Sequence, residues 1–200
     1  MGYTKLNLAS IRKKALSSDK VKKQITAKAE KVVNQEKQKL IEAFSNSSVT
    51  QEIAAGPTAN NASRTLGGYG NLFSFIGFQS GTDPISPIKN LLQNIGISKV
   101  KFNQDKYEIT VKYPSQEEIK TVSPLPFETG RSWVEGIESG ISGFTQYIYK
   151  KFLQGRSKEG VQNDKMNRGG NFQKTPYLFS MLRTFSKNIK GDKNDYSVWK

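Results

Sequence analysis

The feature that most narrows the fold is one apolar stripe along residues 19–44. Val21, Ile25, Ala29, Val32, Val33, Leu40 and Phe44 recur mostly at steps of three and four, and lysine fills much of the rest. That spacing predicts a long amphipathic helix, with Asp19 standing where its cap belongs. A helix with one apolar face has to lay that face on other elements, so the downstream chain must supply a partner surface.

Downstream, Ser45-Asn46-Ser47-Ser48 ends the helix, and a polar, small-residue stretch containing Gly56-Pro57 runs to Ala62. A glycine-rich turn over 65–71 leads into Leu72-Phe73-Ser74-Phe75-Ile76-Gly77-Phe78, the most apolar run, which reads as a strand with its phenylalanines toward the core. Asp83-Pro84 opens a short helix carrying Ile85, Ile88, Leu91 and Leu92, closed by Gly96. Ile97–Phe102 and Tyr107–Tyr113, joined by Asn103-Gln104-Asp105-Lys106, form the clearest hairpin, with Val100, Phe102, Ile109 and Val111 on one face. Pro114, Pro124 and Pro126 forbid long regular structure between them.

Gly130–Ile137 then reads as a short helix or turn bearing Trp133, 144–152 as a strand and 154–173 as an exposed loop. Thr175-Pro176 supplies cap and first-turn proline for a last helix that Gly191 ends. The order predicts an α+β fold: a long N-terminal helix, an antiparallel sheet with a central hairpin, a C-terminal helix and extended terminal arms. The expected organisation is a basic arm at 1–17, one domain over 18–190 with an insert at 45–95, and a tail at 191–200.

Composition limits the chemistry. With neither Cys nor His among 200 residues, disulfides, thiolate or histidine metal sites, Ser-His-Asp triads and Cys-His dyads are excluded. The formal net charge of +14 is segregated: residues 1–43 carry +7, 44–149 carry −1 and 150–200 carry +8. That distribution predicts a near-neutral body with basic ends that meet DNA or acidic proteins, or else lysine-solvated terminal helices. Arg12, Lys13, Lys14, Lys150 and Lys151 are the candidate polyanion contacts, with aromatics interleaved at Tyr147-Ile148-Tyr149. Tyr196 and Trp199 in the polar tail, with Arg156, are candidate interface residues. No apolar run approaches a membrane span and the N-terminus lacks a signal-peptide core, so the expectation is an intracellular protein without membrane contact.

Two motifs invite catalytic readings. Gly67-Gly68-Tyr69-Gly70 lacks the Lys-Ser/Thr of a Walker loop and is followed by an apolar run, so its glycines are better explained as a turn. Asp105 with Glu118-Ile119-Lys120 has the residue types of a Mg²⁺ nuclease, two carboxylates for metal and a lysine for water. The spacing is free, however, and Asp105 falls in the hairpin turn. No catalytic, metal or cofactor residue is assigned.

Pro126-Phe127-Glu128-Thr129-Gly130-Arg131-Ser132-Trp133 resembles the Val-Asp-Thr-Gly-Arg-Leu signature of tailed-phage neck or tail-completion proteins. In that family a long N-terminal helix precedes the signature. Strands and a C-terminal helix opened by a Pro-aromatic-Leu motif follow it. Residues 19–44 and Thr175-Pro176-Tyr177-Leu178 match those positions. The stretches from Val49 to Phe78 and from Arg131 to Gly143 also resemble virion proteins of T4-like myophages. Ser132-Trp133 departs from the family's Leu plus small residue, and the insert at 45–95 has no counterpart in its minimal members.

The resemblance implies a non-enzymatic virion subunit of the neck, connector or head-tail joining region. It would form a ring of six or twelve copies between portal and tail, touching portal or adaptor and tail-terminator proteins, with DNA in the lumen. It would be made in the host cytoplasm. Arg131 and Trp133 join the candidate interface residues. Arg131 either anchors a neighbour's carboxylate or pairs locally with Glu128 or Glu135.

Overall fold

A computed structural model describes residues 13–66, 70–103, 106–126, 128–139 and 175–190. The arrangement is α+β, as the element order predicts. Helix α1 (Asp19–Asn46) is capped by the Ser18 side chain, which accepts from the Val21 amide. Asp19 sits one position later, in the first turn, where a carboxylate favours the helix dipole. Of the expected stripe, Ala29, Val33, Leu40 and Phe44 are buried, and Val21 and Ile25 are half-buried. Val32 is 40 % exposed: with its neighbour Val33 pointing inward, a step of one residue turns it out of the stripe.

The polar stretch after α1 holds structure that its composition hid. Helix α2 (Ser48–Ala54) buries Val49, Thr50, Glu52 and Ile53, and a 3₁₀ turn covers Gly56–Thr58. The apolar run 72–78 is a correction to the sequence reading, because it forms a helix, α3 (Leu72–Ile76). Its start and stop signals outweigh its β-prone composition. The Asn71 side chain caps the Ser74 amide, and Gly77 at φ 87° closes the helix in the left-handed region. Leu72, Phe73 and Ile76 are buried on one face, and Phe75 packs half-buried against the same core.

Helix α4 (Ser86–Gln93) begins two residues later than Asp83-Pro84 suggested. Asp83 still acts as its start signal: one carboxylate oxygen accepts from the amides of Ile85 and Ser86 and the other from the Ser86 hydroxyl, and that hydroxyl first, then the amides, hold its carboxyl below the ordinary range. The other end is closed from α1: the Lys37 ammonium donates to the carbonyls of Gln93 at 3.4 Å and Ile95 at 3.1 Å. Gly96 is not the helix stop but the first residue of strand β1 (Gly96–Asn103), which pairs antiparallel with β2 (Lys106–Lys112).

The hairpin is where it was expected, with Val100 opposite Ile109 and Phe102 opposite Tyr107. A bulge between Ile97 and Lys99 adds one residue to β1. Without it, Ile97 and Val100, three apart, would face opposite ways; with it both join the apolar face. The far end of that face is tied to the N-terminal segment. Tyr107 is buried beside Phe102, ring centroids 5.0 Å apart, and its hydroxyl donates to the carbonyl of Leu16 in a helical turn over 13–16. The segment expected as a loose arm is therefore docked from residue 13.

Helix α5 (Gln116–Val122) starts with a capping box between Ser115 and Glu118. A two-residue strand β3 (Pro124–Leu125) pairs antiparallel with β4 (Glu128–Ser132), which leads directly into α6 (Trp133–Ser139). Helix α7 (Leu178–Lys190) begins three residues after Thr175 and lies along α1. The expected strand at 144–152, the loop at 154–173, the turn glycines Gly67 and Gly68, and the tail from Gly191 lie outside the described residues.

Candidate functional site

Among the described residues, the segments around Trp133 and Tyr177 meet at the junction of β4, α6 and the start of α7. Its geometry begins at Gly130, which takes φ 87° in the middle of β4. No atom lies within 4 Å of where a Cβ would stand, so glycine is required there by backbone conformation and not by crowding. The turn leaves Arg131 exposed and sends Ser132 inward. The Ser132 hydroxyl lies 2.6 Å from that of Ser123, and it accepts from the Glu135 amide, capping α6. The Ser123 hydroxyl in turn donates to the Ile119 carbonyl, and the Trp133 amide donates to the Ser123 carbonyl at 2.9 Å. The end of α5 and the start of α6 are thus sewn together by two buried serines.

Trp133 fills the space behind this seam at 1 % exposure. Its ring meets Phe78 edge-on at 6.0 Å and 87°, and Tyr177 lies 6.3 Å away on another side. Tyr177 stacks tilted on Phe44 of α1 at 5.9 Å, and its hydroxyl lies 2.6 Å from Thr50 Oγ1 of α2. Burial pushes the Tyr177 phenol well above its ordinary range, so it stays protonated. Glu138 closes the arrangement. Its carboxylate accepts from the Phe179 amide at 2.6 Å, capping α7 from outside the helix. Half-burial raises the Glu138 pKa above 4.5, opposed by the hydrogen bonds from the amides of Phe179 and Tyr177 and by the charge of Arg183.

Trp133, expected at an interface, is therefore a core residue; its size and its ring partners Phe78 and Tyr177 from two other segments keep it there. Of the two local carboxylates open to Arg131, Glu135 pairs with Lys120 at 3.1 Å. Lys13 and Lys14 are exposed. Arg12, Lys150, Lys151, Arg156, Tyr196 and Trp199 lie outside the described residues. So does Asp105.

The remaining nuclease-type residues are engaged elsewhere. Glu118 is held ionised below its ordinary range by the Ser115 amide, and Lys120 bridges Glu117 and Glu135. Among the described residues no group of three acidic side chains is placed to hold a metal ion, and no helix is long and apolar enough to cross a membrane.

Sequence reasoning missed Glu52. It is 1 % exposed, and its two oxygens accept from the Ser63 amide at 2.8 Å and the Leu72 amide at 2.7 Å. It pins both ends of the loop before α3. Its only sequence signal is its position between Val49 and Ile53 on the apolar side of a short helix.

No family model, no curated protein and no solved structure matches this chain.

Proposed function

We propose that the chain is a structural virion protein of a tailed bacteriophage. In this reading it is a neck, connector or tail-completion subunit that joins copies of itself, six or twelve, in a ring between portal and tail. It works by shape and assembly, without catalysis. One observation carries the reading. The segments bearing the resemblance, Pro126–Trp133 and Thr175–Leu178, lie far apart in sequence, and Trp133 at the end of the first meets Tyr177 of the second, while Glu138 caps the helix that follows. That contact supports a structural role for the junction, and it is made by Trp133, where this chain departs from the family's pattern. The junction also leaves Arg131 exposed.

The test is location in the parent particle. Stoichiometric recovery of the chain from purified particles, with axial density between portal and tail in a low-resolution map, is the expected result. Absence from purified particles overturns the proposal. Because the Leu16 carbonyl is used by Tyr107, the arm should be probed by deleting 1–12 and not 1–17. That truncation should melt like the full chain and enter particles poorly. The alternative reading, a basic accessory protein binding DNA without sequence preference, is favoured by the charge of the two ends and by the surface described next.

A further inference from the structure

The middle of the chain is near-neutral in sum, at −1, but its charge is not mixed in space. On the solvent face of the hairpin, consecutive rungs pair Gly96 with Lys112, Lys99 with Thr110, Lys101 with Glu108, and Asn103 with Lys106. Every rung holds one lysine, all four lysines are exposed, and Glu108 is the one acid in the array. We propose that this face is a contact surface for the phosphate backbone of double-stranded DNA.

Three observations carry the assignment. First, a ribbon built only to be soluble gains from opposite charges on facing positions. Here three of the four lysines face Gly, Thr or Asn across the ladder, so that cross-strand gain is forgone, and only Lys112, at the end of the array, also lies near an acid, Glu118, among the described residues. Second, all four cations are lysine. The ammonium acts as a point charge suited to phosphate, whereas recognition of a protein carboxylate favours the planar fork of arginine. Third, the array is presented rigidly. The opposite face is anchored by the Phe102–Tyr107 ring pair and by the Tyr107 hydroxyl on Leu16.

A two-stranded antiparallel ribbon is one of the elements that fits the major groove of B-DNA, about 12 Å wide. Lysines two residues apart on one strand, such as Lys99 and Lys101, stand about 6.7 Å apart. Contacts of this kind position a duplex without reading its sequence.

The lysines of α1 make a natural control. Lys20, Lys23, Lys28 and Lys31 are equally exposed, but Asp19 and Glu30 are interspersed among them. The inference stands on the ribbon alone and does not need the ring. The experiment reads duplex DNA binding by the full chain, as fluorescence anisotropy across a salt series. It compares wild type, the variant Lys99→Gln/Lys101→Gln/Lys106→Gln/Lys112→Gln, and the control Lys20→Gln/Lys23→Gln/Lys28→Gln/Lys31→Gln.

Each phosphate neutralised contributes about −0.9 to the slope of log K on log salt. The hairpin variant should therefore lose a slope of about 3 to 4, and the control less than about 1, with melting curves of all three coinciding. An equal change in both variants would reduce the effect to net charge and overturn the proposal. So would an unchanged slope in the hairpin variant, absence of duplex binding by wild type in low salt, or polyglutamate competing for the ribbon as well as duplex at equal charge concentration. The last outcome would assign the face to an acidic protein. Loss of particle incorporation in any variant bears on the ring and leaves the slopes to be read separately.

Discussion

The aromatic junction and the hairpin both hide apolar surface, but they recruit partners over very different distances. In the hairpin, Phe102 faces Tyr107 and Val100 faces Ile109, so each partner lies a few residues away. In the junction, Tyr177 meets Thr50 across 127 positions, and Trp133 is boxed in by Phe78 and Tyr177. The hairpin covers one face and leaves the other to lysine; the junction is closed on all sides. The difference implies that stability resides in the junction, whose loss uncouples α1, α2, α6 and α7 together. The hairpin is a local unit whose outer face is free to carry a ligand.

The largest effect that follows is on Trp133. Trp133→Ala should cost about 3–5 kcal/mol, as expected for a fully buried large aromatic, and should lower the melting temperature more than Phe102→Ala on the half-buried hairpin face. Equal losses in thermal or denaturant unfolding would break the proposed division between the two regions.

The Thr50–Tyr177 pair gives a smaller and sharper test. Either Tyr177→Phe or Thr50→Val strands a buried hydroxyl, or leaves its partner without a bond, at about 1–3 kcal/mol. The double variant removes both polar groups and should lose clearly less than the sum of the two single ones. Strict additivity would mean that the 2.6 Å contact does not join α2 to α7.

At Gly130 the expected cost is about 1 kcal/mol for Gly130→Ala. A left-handed φ is unfavourable for alanine although the space around the position is open. A loss of several kcal/mol would show that the β4 turn is tightly packed and belongs with the closed junction.

The same difference in distance explains what was legible in the sequence. The hairpin, α1 and the apolar face of α7 were legible because their signals are periodic and local. The bulge at Ile97/Lys99 follows from the same pattern once the three-residue step from Ile97 to Val100 is noticed. Residues 72–78 were misread because Phe-rich composition suggested a strand, while the deciding information lay in Asn71 and Gly77 at the ends. Helix α2 was missed because its stability comes from tertiary burial of Val49 and Ile53 and not from propensity.

Neither Glu52 nor Glu138 was visible as a structural residue, since each caps a helix remote in sequence. The lysine face was hidden for another reason: a segmental charge sum averages over both faces of a ribbon, and the alternation that separates them is a property of the register.

The finest test of the comparison is the sign of a pH effect. Glu138 at the junction and Glu118 beside the hairpin are both carboxylates at helix starts, but their environments push in opposite directions. Glu118 is held below 4.5, first by the Ser115 amide and also by Lys112. Its contribution to stability is therefore present at neutral pH and is lost as pH falls through its depressed folded value. Glu138 is raised above 4.5 by burial, so the folded state binds its proton more tightly than the unfolded chain does. Its contribution is fully present below the ordinary carboxylate pKa and is lost as pH rises through the elevated folded value.

In unfolding free energies measured against wild type, the Glu138→Gln comparison should thus change above about pH 4.5, and the Glu118→Gln comparison below it. On acidification the advantage of wild type over Glu118→Gln shrinks, while wild type gains ground on Glu138→Gln. Glutamine keeps a carbonyl to accept from the Phe179 amide, so the second comparison isolates the charge from the cap. Parallel pH profiles for the two variants would mean that the junction is as well solvated as the capping box, and the contrast between a closed centre and an open ribbon would fail at its most sensitive point.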